Sequence, residues 1–195
     1  MSLIEDLRGS TGELRETHIS WVILYERRVF KLKKPVNYGF LDFTSLDRRL
    51  AACRAEVRLN ARLAPGVYLG VAPVFRSAEG RHRWGECLEG EPERSAGERA
   101  SPADNEEVVD YAVVMRRLPD AERADLLLAA GALDLAQLDQ LAALLAEFHA
   151  AAATGPTIDE LGSPEAIASN VRENFCTGHE VLACIASDDA QAEVE

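Results

Sequence analysis

Two runs of β-branched and aromatic residues, 18–24 (HISWVIL) and 29–33 (VFKLK), flank Tyr25-Glu26-Arg27-Arg28. Runs of this composition at this spacing predict a β-hairpin. The connection holds neither Gly nor Asn, so its turn type is left open. Pro35 ends the second strand. A hairpin needs a cover for its apolar face, and the next segment offers one. Thr44-Ser45-Leu46-Asp47 predicts a capping box, with Thr44 as N-cap and Asp47 at the third helical position. Leu46, Leu50, Cys53, Val57 and then Leu63 or Ala64 recur at helical spacing, and Pro65-Gly66 stops the pattern.

The rest of the chain alternates less. Residues 67–75 and 81–88 predict two strands joined around Glu79-Gly80, and residues 108–116 a third, closed by Arg117-Leu118-Pro119. Between them, residues 89–107 are rich in Glu, Pro, Gly and Ser and predict a mobile surface loop. Beyond Pro119 the pattern turns helical. A short helix over 123–130 is interrupted by Gly131, and a longer one runs over 135–152. Gly155-Pro156 breaks that pattern, and Ser163-Pro164-Glu165 opens a last helix. The order predicts an α+β fold with its sheet at the N-terminal end.

Charge narrows the function classes. The 195 residues carry a net charge of −12, which argues against nucleic acid as a partner. Residues 1–65 hold 12 Lys and Arg against 8 Asp and Glu, whereas residues 66–195 hold 9 against 25. A mildly basic front on an acidic body suits a small polyanion such as a nucleotide phosphate, although two differently composed solvated surfaces would look the same. Glu5 and Asp6 interrupt any apolar run at the N-terminus, and Asp134, Asp139 and Glu147 break the Leu/Ala-rich stretch that follows Leu126. No leader or membrane partner is expected, and Cys53, Cys87, Cys176 and Cys184 form no paired framework, so the expected setting is cytoplasmic.

A phosphotransferase must grip a triphosphate with a cation and fix that cation in place. In kinase folds a strand lysine meets the phosphates and a glutamate from the following helix holds its ammonium. Val29-Phe30-Lys31 offers such a lysine, and Glu56 lies three positions from Cys53 and one from Val57, near the core-facing edge of its helix. Arg54, Arg58 and Arg62 fall on a different face. By spacing alone, a strand lysine and a helix glutamate are more often solvated surface charges. Lys33 competes with Lys31, since alternation puts both on one strand face; Lys31 is preferred because it lies further from the strand end.

The strings Glu16-Thr17-His18-Ile19-Ser20-Trp21-Val22, Val29-Phe30-Lys31-Leu32-Lys33-Lys34-Pro35-Val36 and Gly39-Phe40-Leu41-Asp42-Phe43 resemble the bacterial aminoglycoside phosphotransferase-like family, whose members are often fused to a C-terminal P-loop ATPase domain. The resemblance continues through Glu56-Val57-Arg58-Leu59-Asn60, Leu63-Ala64-Pro65, Tyr68-Leu69-Gly70-Val71 and residues 111–119. It returns at Phe148-His149 and Asn170-Val171-Arg172-Glu173-Asn174-Phe175. It implies a protein-kinase-like N-lobe over residues 1–118, an antiparallel sheet with one long helix, and the first helices of a C-lobe over 119–195. It further implies Lys31 as the phosphate-contacting lysine, Glu56 as its partner, and Met115 with the next residues as the hinge meeting adenine. The implied cofactor is ATP, with Mg²⁺ expected only in a complete family member, and the partner a small-molecule acceptor. No G-x-G-x-x-G precedes the first strand, and only Gly12 stands nearby; Thr17, His18 and Ser20 are the candidates for hydroxyl or backbone contacts to phosphate.

The chemistry itself is missing from this chain. The family's catalytic loop carries a His-Gly-Asp, and the chain contains no His-x-Asp; His149 precedes four alanines, and His179 precedes Glu180 and Val181. Glu165-x₄-Asn170 has base-and-Asn spacing only by number, since Ser163-Pro164 caps a helix there. No catalytic residue is therefore assigned, and the chain is expected to be truncated before the catalytic loop. Cys176-x₂-His179-x₄-Cys184 has a loose zinc rhythm but lacks a fourth ligand, so no metal site is assigned. The Leu/Ala stripe of residues 135–148 is expected to self-associate where a C-lobe does not cover it. The expected function is the ATP-binding part of a small-molecule phosphotransferase; the alternative is a non-catalytic nucleotide- or protein-binding module.

Overall fold

The computed structural model describes residues 2–89 and 105–175. Two compact units divide between Gln137 and Leu138. The first holds the sheet: α1 (Leu3–Arg8), β1 (Glu13–Glu16), β2 (Ser20–Leu24), β3 (Arg28–Lys33), α2 (Leu46–Asn60), β4 (Tyr68–Ser77), β5 (His82–Trp84), β6 (Leu88–Glu89) and β7 (Glu106–Arg116). A 3₁₀ turn (Asp120–Glu122), α3 (Ala124–Ala129), α4 (Leu135–Ala150) and α5 (Pro156–Leu161) follow, and residues 164–175 are helical.

Among the described residues the sheet runs β1-β2-β3-β7-β4-β5, antiparallel throughout, with β6 also pairing β4. The fold is therefore a mixed α and β architecture around an antiparallel sheet, as the α+β expectation had it. Strand β7 pairs on both sides, with β3 from Arg28↔Arg116 to Leu32↔Ala112 and with β4 along nearly its whole length. Its buried run from Asp110 to Val114 reads accordingly as nearly continuous burial rather than alternation. Pro73, unusual inside a strand, sits where β4 has no ladder partner on its other side: β6 covers Gly70 and Val71, and β5 covers Val74 to Arg76. The Pro73 carbonyl there accepts from the Gly85 amide at 2.8 Å.

The two sheet faces bury separate cores. On one, Leu7 of α1 packs with Ile23, Leu32, Val74 and Ala112. Phe30 stacks on Trp84 with ring centroids 4.2 Å apart, and Tyr25 meets Phe30 edge-on. Tyr25 donates its hydroxyl hydrogen to the Leu7 carbonyl, and His82 clamps Asp6 through its backbone amide at 3.0 Å and Nδ1 at 2.8 Å. On the other face, Cys53 of α2 packs with Val71, Tyr111 and Val113, flanked by Leu46, Leu50, Val57 and Met115. The apolar positions expected to seat α2 therefore do so.

Several local expectations need correction. Helix α2 is capped by Ser45, whose hydroxyl accepts from the Arg48 amide at 3.2 Å, not by Thr44. Thr44 is held instead by Asp42, which accepts from its amide and its hydroxyl. The helix ends at Asn60 rather than at Leu63 or Ala64, with turns leading to Pro65. The segment 81–88 splits into β5 and the start of β6, and Glu106 and Glu107 belong to β7 rather than to the loop. Residues 90–104 of that expected mobile loop lie outside the described residues.

Elements α1, β1 and α5 were not anticipated. Helix α1 opens on a capping box between Ser2 and Glu5, and β1 is a polar edge strand with one core-directed residue, Leu14. The short helix 123–130, the break at Gly131 (φ +64°) and the long helix after it are as expected. Ser163 caps the last helix by accepting from the Ala166 amide at 3.2 Å, so Glu165 and Asn170 are helical residues. No described helix is long and apolar enough to cross a membrane.

Candidate functional site: a two-lysine, one-glutamate cluster

Leu32 belongs to the α1-side core, so strand alternation sends Lys31 and Lys33 to the α2 side. Lys31 stands opposite Val22 on β2 and Val113 on β7; Lys33 stands opposite Ser20. Glu56, one helical turn beyond the core residue Cys53, faces them. One carboxylate oxygen accepts from Lys31 Nζ at 2.8 Å, and the other accepts from Lys33 Nζ. The expected pair is thus formed, and it is a triad.

The two lysines are not equivalent. The Lys33 side chain is 6% exposed and that of Lys31 is 30% exposed, with Glu56 at 13% between them. Lys33 also lies 5.4 Å from the centroid of the buried Phe43 ring. Phe43 closes a small hairpin in which its amide donates to Val36 O at 2.9 Å. Lys31 is therefore the more solvent-exposed of the two lysines.

Burial acts to raise the pKa of Glu56, but hydrogen bonds from Lys31 and Lys33 outweigh it and hold the carboxyl below the usual glutamate range. Two ammonium groups against one carboxylate leave the triad with a net positive charge. Cys53 adds none: burial pushes its thiol up to about 12, and its Sγ lies 3.7 Å from the Tyr111 carbonyl.

The other candidates fall around this cluster with different fates. Thr17, His18, Ile19 and Ser20 form the tight β1–β2 turn, which ends directly across from Lys33. Thr17 Oγ1 is spent closing that turn, accepting from the Ser20 amide at 3.0 Å and lying 3.2 Å from the Ser20 carbonyl. Ser20 is fully buried, and its hydroxyl has no hydrogen-bond partner among the described residues. His18 is exposed at the tip. The turn thus spends the Thr17 and Ser20 amides and the Thr17 hydroxyl on its own closure, with the His18 ring exposed. Gly12 lies at the other end of β1, where a Cβ would come within 2.6 Å of the Arg8 carbonyl; it serves packing, not the turn. Met115 is near the end of β7, on the same face as Lys31, packed against the α2-side core. After it, the Arg116 amide donates to Val67 O at 2.8 Å and the Arg117 amide to Arg27 O at 3.0 Å.

Sequence reasoning missed the second ionic contact of Glu56. Its signal was the Lys-x-Lys alternation, which was treated as a choice between two lysines. It also missed Arg49, which reaches Asp110 on β7 from the first turns of α2 at 2.8 Å and donates further to the carbonyls of Phe43, Thr44 and Val109. Cys176, His179 and Cys184 lie outside the described residues.

The chain is similar to proteins from two strains of Mycobacterium tuberculosis and one of Mycobacterium bovis, each described only as an uncharacterized protein. Each is 34% identical over 163 residues, which is 84% of this chain and 27% of the relative. The chain thus spans about a quarter of the length of the curated relatives it matches. No protein-family model and no solved structure matches it.

Proposed function

We propose that this chain is the nucleotide-phosphate-gripping part of a small-molecule phosphotransferase with a kinase-like fold. The observation that carries the reading is the Lys31–Glu56 pair: a partly exposed ammonium on the third strand, held at 2.8 Å by a carboxylate from the next helix. That is the arrangement by which kinase folds position a lysine against nucleotide phosphates. The antiparallel sheet, the single helix packed on the lysine-bearing face, and Met115 at the end of a central strand are consistent with it. The resemblance of residues 13–175 to aminoglycoside phosphotransferase-like proteins supports the same reading, and the relatives' greater length leaves room for further domains.

The nucleotide proposed is ATP, bound through its phosphates at Lys31, with the backbone after Met115 toward the base. Among the described residues no three His, Cys, Asp or Glu side chains stand together as a metal site. The residues present bind and orient; the chain has no His-x-Asp to act on an acceptor hydroxyl. Phosphoryl transfer to a small molecule is therefore proposed for the longer protein.

Titration of the whole chain with ATP and with ADP, followed by calorimetry, tests the reading. Wild type should bind both, and Lys31→Ala should weaken each by about tenfold or more, the worth of one charge-assisted hydrogen bond. Equal binding by the two proteins removes Lys31 from the site. A second reading, a non-catalytic module that binds another protein, is favoured by the exposure of Leu138, Leu141, Leu144 and Leu161 on α4 and α5. Sedimentation of the chain across a concentration series tests self-association through them; a constant monomer mass removes that version.

A further inference from the structure

We infer that Lys33 is a positioning residue for this site: buried beneath Glu56, it holds the carboxylate from behind so that Lys31 presents an incompletely neutralised ammonium to a phosphate. The inference rests on the phosphate-binding reading above and goes beyond it, because a single lysine–glutamate pair is self-neutralising. Here Glu56 divides its two oxygens, one to each lysine. Half of its capacity goes to a cation that solvent barely reaches.

The surroundings of Lys33 bind it to this role. Lys33 stands opposite Ser20 in the strand pair, and its Nζ lies 5.4 Å from the centroid of the Phe43 ring. The charged and titratable groups around the triad are few. Strand β3 supplies Lys31 and Lys33. Helix α2 supplies Glu56 and the Cys53 thiol, which burial keeps neutral. Strand β7 supplies Asp110, which is closed on Arg49. Glu56 is therefore the anion that answers Lys33, and burying an ammonium without one would be costly. Removal of Lys33 would leave Glu56 free to turn both oxygens to Lys31. The exposed ammonium would then be fully neutralised and drawn back toward the helix.

A double-mutant cycle on the whole chain, read with ADP, separates this from a merely structural role. Lys33→Met should weaken ADP by about tenfold, and in the Glu56→Gln background the same substitution should cost almost nothing further. The ¹³C-detected titration of the Glu56 carboxylate should move to higher pH in Lys33→Met. Lys33→Arg, which keeps the charge, should restore part of both. If Lys33→Met binds ADP as wild type does while Lys31→Ala does not, the inference is overturned. It is equally overturned if Lys33→Met costs as much in the Glu56→Gln background as beside the native glutamate. If wild type binds no nucleotide, the phosphate-binding reading fails. The Glu56 titration then still judges Lys33, and an unmoved midpoint in Lys33→Met overturns its hold on the carboxylate. Where Lys33→Met fails to fold, Lys33→Arg carries the test: part of the wild-type ADP affinity and a Glu56 midpoint still below the usual glutamate range are expected, and ADP affinity as low as that of Lys31→Ala overturns the inference.

Discussion

The ionic contacts that Arg49 and Glu56 make from helix α2 to the sheet differ in how completely they are closed. In its first turns, Arg49 meets Asp110 and directs three further donors to backbone carbonyls; both side chains are buried. Burial pushes the Asp110 carboxyl up, and its contacts with Arg49 only partly oppose this. Two turns later, Glu56 meets two lysines, is held below the ordinary glutamate range, and leaves a cation at the surface. The first contact commits four of the five Arg49 N–H donors to buried or part-buried acceptors. The second has an excess of positive charge and an open edge. A buried charge with a complete set of partners reads as architecture, and one with an incomplete set reads as a site.

That contrast can be tested at either end. The largest effect is expected from Arg49→Met, which strands Asp110 in the interior and should lower unfolding stability by about 4 kcal/mol, measured by urea denaturation. Nucleotide affinity, scaled for the folded fraction, should hardly change. Because Asp110 is already raised and loses its cation, the deficit should be greatest at neutral pH and shrink as pH falls and Asp110 takes up a proton.

Glu56→Gln should cost about 2 kcal/mol, since it leaves Lys33 buried with a neutral partner. Its pH dependence is distinctive. A carboxyl with a lowered folded pKa stabilises the protein above the usual glutamate range and loses that contribution as pH falls through the folded value. The gap between wild type and Glu56→Gln should therefore be full at pH 7 and close on acidification, as followed by thermal melts across that range.

The smallest effect is expected from Ser45→Ala. It removes the N-cap of the helix carrying both contacts and should cost about 1 kcal/mol. A comparable loss from Thr44→Ala instead would return the cap to the position the sequence suggested.

Much of this was legible from local pattern. The hairpin of β2 and β3 and the amphipathic seam of α2 follow from local runs and helical spacing, and β7 from a near-continuous apolar run. Strand alternation and helical spacing each place one partner of the Lys31–Glu56 pair but do not pair them. The cap of α2 was misread by one residue, because Thr44 and Ser45 are equally good caps in isolation and Asp42 claims the first. Helix α1 carried a readable capping box, Ser2 to Glu5, that was passed over as a terminus. Strand β1 carried none: four residues with one apolar side chain become a strand only because β2 provides a ladder.

Residue order was enough to say which faces are apolar and where the main helix and strands run, whereas the pairing of Lys31 with Glu56 was expected from the family resemblance rather than from spacing. The faces follow from periods of two and of about 3.6, which are properties of the chain's own backbone. It took the folded arrangement to insert β7 between β3 and β4, bringing Asp110 to Arg49 and Val113 beside Lys31. The same arrangement decided which lysine is the more exposed. Lys31 and Lys33 are alike in sequence and share a face. Only the ring of Phe43 and the turn ending at Ser20, both set by chain folding, bury one of them and leave the other at the surface.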